Sequence, residues 1–532
     1  MYHAAEGASA PADGSGFPVV LVSPYELGRQ PFGIAEPAAW LRAAGFRVRC
    51  IDLSRERLEP EVLRDAGLVA VHLPMHTAGR IASAAFAQLR ELAPRARFAV
   101  FGLYAPVNDA HFRELGAQAV LGGEVEPDLV AFARECRAGA AAQRAAVRRG
   151  RTDGGGTGRA PDRSIDAGRA HAEPGNGEAG DGRSGGNGAL GRGAASAGSD
   201  GAPNGVRLDK IEFMVPDRTG LPDLDRYARL ELPDGGERIV GFAEASRGCR
   251  HLCRHCPIVP VYDGRFRVVP RDIVLADIRQ QAAAGAEHIS FGDPDFFNGP
   301  THALRIVEAM HAEHPRLTFD ATIKIEHLLR HRATLTRLRE AGCLFITSAV
   351  EAVDDEVLAR LRKNHTAADF EEAVSLMRAA GIALAPTFVA FTPWTTLGGY
   401  RDLLERIAAL GLVASVPPVQ LSIRLLIPDG SRMLELPEIR ELVAPFDRAL
   451  LGYPWRNRDP RVDKLQERIA HLVENGNEST REATFAAAWR IVHEALGAAA
   501  PSLPRNLGEP IPCHSEPWYC CAEPTGEQLA GF

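Results

Sequence analysis

Short apolar runs alternate with longer amphipathic stretches along most of this chain, the rhythm of strands joined by crossover helices. Between residues 17 and 136 the runs at 18–23, 47–52, 68–73, 98–102 and 119–122 predict strands, with helical stretches such as 36–44 and 78–92 between them. Five strands with crossovers predict a doubly wound parallel sheet, flavodoxin-like, whose ligands bind beyond the carboxyl ends of the strands. A second series starts near Val206. Strands are expected at 239–245, 288–292, 317–323, 344–350, 383–389 and 419–426, and helices at 271–284, 300–311, 325–341, 367–380 and 397–410. Six βα units predict a partial (βα)6 barrel of TIM type, with its chemistry at the carboxyl ends of the strands. The stretch 436–500 reads as helical. Residues 137–205 hold almost no large apolar side chains after Val147 and cannot bury a core, so a disordered linker is expected there. The expected layout is therefore an α/β domain at 17–136, the linker, a barrel at 206–435, a helical region at 436–500 and a tail at 501–532.

Composition narrows the function. A length of 532 residues exceeds one ordinary core and agrees with two or three domains. The formal charge of −7 offers no basic footprint for nucleic acid. The longest apolar runs, such as 66–71, fall far short of the ~20 residues a membrane helix needs, so no membrane association is expected. Nine cysteines are an odd number, and residues 1–16 carry no charged-then-apolar leader. Both points favour a reduced, cytoplasmic protein without a disulfide framework.

The strongest chemical signal is Cys249-x-x-x-Cys253-x-x-Cys256, directly after the apolar run at 238–245. Soft thiolates suit zinc and iron–sulfur clusters alike, and a four-iron cluster on three cysteines keeps one iron open to a ligand. The competing reading is a zinc site completed by His251 or His255 in a metal-stabilised binding protein, although no second cysteine pair follows at the usual distance.

The segment Cys249-Arg-His-Leu-Cys253-Arg-His-Cys256-Pro257 resembles the cluster loop of the radical S-adenosylmethionine (SAM) enzymes. That resemblance implies a [4Fe–4S] cluster held by Cys249, Cys253 and Cys256, with SAM chelated to the open iron. An electron, delivered by a donor such as flavodoxin or ferredoxin, would then cleave SAM to a 5′-deoxyadenosyl radical able to abstract hydrogen from a small molecule or peptide. Phe291-Gly292-Asp293-Pro294 resembles the family's Gly-Gly-Glu element. Gly292 would let backbone approach the cofactor and Asp293 would pair with the SAM ammonium. Lys324 and Glu351, at the ends of the third and fourth strands, are further SAM-binding candidates, the latter in Thr347-Ser-Ala-Val-Glu351, where the family carries glycine at Ala349. Arg424 is a candidate for the SAM carboxylate or for a buried structural ion pair.

Residues 17–136, with Gly122-Gly123-Glu124 opening the last helix, resemble the cobalamin-binding domain that precedes many radical SAM cores. The loop after the first strand, Pro24 to Gly33, contains no histidine, which permits cobalamin bound without a protein imidazole and equally an empty domain. The end of the chain, Cys520-Cys521-Ala-Glu-Pro524, resembles a radical SAM group defined by a terminal Cys-Cys-Ala-Glu-Pro, in which some members carry selenocysteine at the position of Cys521. Cys520 and Cys521 are thus candidates for a redox, nucleophilic or soft-metal role, with Cys513 a third thiol for a second metal group. The leading expectation is C–H activation, with methyl transfer from cobalamin its sharpest form. The alternatives are a radical SAM enzyme with a vestigial first domain and a sulfur- or selenium-handling tail, and the zinc-stabilised binding protein.

Overall fold

A computed structural model describes residues 16–152, 205–475, 480–516 and 528–529. The first sheet contains β1 (Pro18–Ser23), β2 (Arg47–Asp52), β3 (Leu68–His72), β4 (Arg97–Phe101), β5 (Ala119–Gly123) and β6 (Val206–Arg207), in the order β2-β1-β3-β4-β5-β6. All its pairings are parallel. Helices cover both faces, which is why β3 reads as the uninterrupted buried run Leu-Val-Ala-Val-His instead of an alternation. The doubly wound arrangement matches the sequence reading.

The second sheet has the order β14-β13-β12-β11-β8-β7-β15. Its curled parallel part is β8 (Glu237–Ala243), β11 (His288–Phe291), β12 (Thr318–Thr322), β13 (Cys343–Glu351) and β14 (Ala383–Phe388), extended by two antiparallel edge strands, β7 (Arg229–Glu231) and β15 (Cys513–His514). A short hairpin of β9 (Ser246–Gly248) with β10 (Phe266–Val268) brackets the cysteine loop. Outward positions such as Ile289, Phe319 and Ile346 pack into one apolar core with the flanking helices, whereas the inward positions include His288, Ser290, Asp320 and Thr347. The interior of the half-barrel is therefore polar enough to receive a polar ligand.

Three expectations need correction. The helix Glu126–Thr152 continues through the first quarter of the expected linker, and nearly all the remainder of that linker lies outside the described residues. Val206–Arg207, read as the start of the barrel, is the sixth strand of the first sheet, paired to Gly122 and Gly123. The sixth barrel strand is reduced to a single bridge between Phe391 and Arg424, because Pro417 and Pro418 turn the segment into a short 3-10 helix, Pro418–Leu421. The described residues of 16–137 and of 205–529 make one compact unit.

Candidate active site

A cavity of 470 Å³ opens between the carboxyl ends of the two sheets, where both folds place their ligands. Cys249, Cys253 and Cys256 line it together with Gly292, Asp293, Lys324 and Glu351 from the barrel, and with Glu26, His72 and Gly123 from the first sheet. Candidates drawn from five separate segments of the sequence thus share one space.

The three cysteines carry no disulfide. Burial and the neighbouring Cys253 push the Cys256 thiol well above its ordinary range, so the bare loop disfavours thiolate until a cation arrives. Two of the chain's four lysines supply positive charge beside it. Lys324 Nζ is 3.8 Å from Cys253 Sγ, and Lys363 lies beside Cys253 and Cys256, its pKa raised against the opposing effect of burial chiefly by Glu351 and less by the two sulfurs. His255 Nε2 is 3.0 Å from Glu351 Oε1, and His251 faces Asp295 and Glu326. Both imidazoles are turned to carboxylates, and among the described residues the sulfurs do not close with either on one ion-sized point, so a three-cysteine, one-histidine zinc site does not fit. A larger cluster on the three sulfurs, flanked by two ammonium groups, does.

Glu351 ends β13 with φ 72°, a left-handed conformation that costs a non-glycine residue about 1–2 kcal/mol. Burial opposes its ionisation, but Lys363 at 3.2 Å and His255 outweigh burial and hold the carboxyl well below the usual carboxylate range. The strained backbone aims a permanent anion at the cavity beside the cysteine loop. Asp293 is arranged differently. Its carboxylate accepts from the Ala245 N–H at 2.9 Å and from Ser246 Oγ, yet burial pushes its pKa up to about 7. A Cβ on Gly292 would meet the Phe242 ring at 2.0 Å, so glycine here lets the strand end settle on that ring.

The first-sheet candidates divide. Gly123 reaches the cavity, but a Cβ there would strike the Arg207 carbonyl at 2.0 Å, and one on Gly122 the Pro106 ring at 2.3 Å, so both glycines serve the packing of β6 and its neighbours. Glu124 is fully buried and bound to Arg247 at 3.3 Å. Arg424 is not among the residues that line the cavity: it pairs with Asp463 at 2.9 Å and stacks on Trp455 at 3.6 Å. Cys520 and Cys521 lie outside the described residues.

Several cavity groups escaped the sequence reading. His72 Nδ1 binds Glu26 Oε1 at 2.9 Å on the first-sheet side. Arg247, two positions before Cys249, contacts Glu36, Glu124 at 3.3 Å, Glu126 at 2.8 Å and Glu244 at 3.3 Å, joining the cysteine loop to the first sheet. On the barrel floor His514 Nε2 lies 3.2 Å from Asp320 Oδ2 and 3.1 Å from Ser290 Oγ, because β15 zips the tail onto β7 and turns His514 inward. Cys513, one residue earlier, faces Glu231 outside the cavity. Among these only Arg247 had a signal to follow, its closeness to the cysteines; the others meet by long-range folding.

A cysteine loop after the first barrel strand, a polar half-barrel and a doubly wound sheet closing its mouth define a class of protein, and residues 244–395 match the radical SAM superfamily. The chain carries a radical SAM domain. Among curated relatives, hopanoid C-3 methylase of Methylococcus capsulatus is 27% identical over 195 residues, covering 37% of this chain and 36% of that protein. A tRNA-2-methylthio-N(6)-dimethylallyladenosine synthase of Haemophilus influenzae is 24% identical over 199 residues, covering 35% and 42%. The chain thus spans less than half the length of these relatives. The fold extends much further. The radical S-adenosylmethionine methyltransferase TsrM from Kitasatospora setae, solved with tryptophan substrate and a SAM analog, superposes with TM-score 0.60 at 14% identity over 91% of this chain and 96% of that one. The cobalamin-dependent S-adenosylmethionine radical enzyme OxsB with aqua-cobalamin bound gives 0.59 at 14% over 90% and 73%.

Proposed function

We propose that this protein is a cytoplasmic radical SAM enzyme that modifies a small molecule or peptide by C–H activation, with flavodoxin or ferredoxin as electron donor and methyl transfer from a corrinoid as its reaction. The observation that carries the reading is the single cavity that joins the three cysteines to the strand ends of both sheets. When bound, the cluster and SAM supply one-electron cleavage of the sulfonium, the chemistry that belongs to the cofactor and not to the protein. The chain's own part is to bind, orient and exclude water. Cys249, Cys253 and Cys256 would hold the cluster. Lys324 and Lys363 would offset its negative charge, and Glu351 stands ready for a cationic group.

Support for the corrinoid comes from the fold of the first domain and from the cavity wall above the barrel. Pro74, Met75, Leu103 and Tyr104 line that wall, and Glu26 fixes one nitrogen of His72, the arrangement that orients an imidazole toward a metal. The test is anaerobic reconstitution with iron, sulfide and hydroxocobalamin, then SAM and dithionite. The expected outcome is 5′-deoxyadenosine together with corrinoid retained through gel filtration, its spectrum altered in His72→Ala. Formation of 5′-deoxyadenosine without corrinoid retention would reject methyl transfer and keep SAM cleavage; loss of both with a loaded cluster would reject the whole reading.

The tail belongs to the same proposal as a thiol pair acting on the substrate side. The chain is tied down as far as Ser515, bonded to Arg229 at 2.9 Å, and Glu516, which touches Tyr25 and Arg55 beside the cavity. Cys521→Ser is expected to abolish product while SAM cleavage persists; unchanged product formation would remove the tail from the chemistry.

A further inference from the structure

Three side chains from three separate segments converge beside the cysteine loop; His251 also lines the cysteine-bearing cavity, whereas Asp295 and His327 stand behind it. His251 comes from the loop between Cys249 and Cys253, Asp295 follows β11, and His327 stands in the first turn of the helix Ile325–Arg330 after β12. Asp295 Oδ2 is 2.7 Å from His327 Nδ1 and 3.3 Å from His251 Nε2, and the three atoms all lie within 4.8 Å of one another. Asp295 is fully buried and His327 is 5% exposed.

These contacts are close enough for ion pairs but misdirected for hydrogen bonds. Among the described residues, Asp295 Oδ2, His327 Nδ1 and His251 Nε2 all lack a hydrogen-bond partner despite their burial. The three groups attract one another by charge, yet their atoms lack directed hydrogen bonds, a shortfall of about 1–3 kcal/mol for a buried polar atom that a cation among them would relieve. The 3.3 Å separation is that expected between neighbouring ligands each roughly 2.0–2.2 Å from one ion, and the 2.7 Å pair would open slightly on binding.

The surroundings are built as they are around metal ligands. Asp295 Oδ1 accepts from the Phe297 N–H at 3.2 Å and the Lys324 N–H at 3.5 Å, which fixes the carboxylate with Oδ2 toward the histidines. Glu326 Oε2 lies 3.7 Å from His251 Nδ1, the ring nitrogen remote from Asp295, a charge contact too long for a hydrogen bond. A cavity of 350 Å³ lined by His251, His327, His331 and Asn298 adjoins the cluster and offers room for water ligands.

We propose that His251, Asp295 and His327 bind a divalent transition-metal ion, separate from the cysteine-held cluster. Two imidazoles and one carboxylate without sulfur suit Zn(II), Fe(II), Co(II) or Mn(II), and leave coordination positions for water. The ion would clamp the cysteine loop to the ends of β11 and β12, the strands that present Gly292 and Lys324.

The test counts metal in the full-length protein with its cluster reconstituted, so that the cysteines are already occupied. After equilibration with Zn(II) and removal of excess, the wild type is expected to hold one zinc per chain beyond the cluster iron. Asp295→Asn and His327→Ala should keep the iron and bind that zinc at least roughly tenfold more weakly in a chelator competition. No zinc beyond the cluster in the wild type, or equal binding in the variants, would overturn the proposal. A second measurement guards against misfolding: Co(II) titrated into the Cys249→Ser, Cys253→Ser, Cys256→Ser protein should give ligand-field bands without thiolate charge transfer, saturating at one equivalent. Their absence in a chain with wild-type circular dichroism would overturn it too. Metal content is read whether or not 5′-deoxyadenosine forms, so the result stands apart from the functional proposal.

Discussion

Cys253→Ala, reconstituted anaerobically, is expected to stay colourless where the wild type turns brown, and to form 5′-deoxyadenosine roughly 10³-fold more slowly or not at all, the scale on which removal of an indispensable group acts. Cys253 is the central of the three thiols, 6% exposed, and its sulfur faces the Lys324 ammonium. Alanine deletes one of three ligands to the cluster and leaves that ammonium beside an empty position. The damage should be local: the substitution removes one sulfur from a loop that the β9–β10 hairpin and the Arg254 N–H to Leu361 carbonyl bond at 3.0 Å already hold. The measurement is iron content, absorbance near about 400 nm from thiolate-bound iron and 5′-deoxyadenosine, with circular dichroism to confirm the fold. Iron and cleavage at wild-type levels would remove these cysteines from the cluster.

Arg247→Met should lower stability by about 3–5 kcal/mol, the usual penalty for removing one partner of a buried ionic group. The guanidinium meets four carboxylates, of which Glu36, Glu124 and Glu126 are at most 2% exposed. Methionine keeps the volume and loses the charge, so whichever of those acids is ionised beside Arg247 must protonate or draw in water. Chemical denaturation at pH 7 reads the effect; a loss below about 1 kcal/mol would mean that the acids are neutral and the arginine dispensable. The pH dependence carries its own sign. Burial raises the Glu36 carboxyl from its ordinary 4.5 to about 8 even with Arg247 beside it. The folded state therefore binds more protons than the unfolded one between those values, and Glu36 contributes stability that is present below pH 4.5 and lost as the pH rises toward 8. In Arg247→Met the decline should steepen and extend to higher pH, because the opposing cation is gone.

The two sheets were legible because their signal is local. Five apolar runs in the first domain and five of six runs in the barrel correspond to strands, in the first sheet because a strand buried on both faces is apolar along its length and in the barrel because the outward positions of each strand are apolar. The sixth barrel run failed where two prolines withdrew backbone donors, a cue present in Pro417-Pro418 but outweighed by the apolar residues after it. Val206–Arg207 was unreadable for another reason. Two residues carry no periodicity, and their place beside Gly122 and Gly123 depends on a partner some 80 positions away.

The candidate site shows the same division. Cys249, Cys253 and Cys256 lie within eight residues, so their spacing alone constrains the metal group they can hold; Gly292, Asp293, Lys324 and Glu351 followed because a barrel delivers its strand ends to one mouth. Charge pairing had no such rule. Arg424 and Arg247 look equally like free cations in the chain, yet the first is spent on Asp463 and Trp455 while the second gathers acids from both sheets. His251, Asp295 and His327 are likewise unremarkable polar residues until three loops bring them within 4.8 Å. Periodicity and short-range spacing are properties of neighbouring residues and can be read along the chain; which buried charge finds which partner depends on contacts between distant segments, and exists only once the chain has folded.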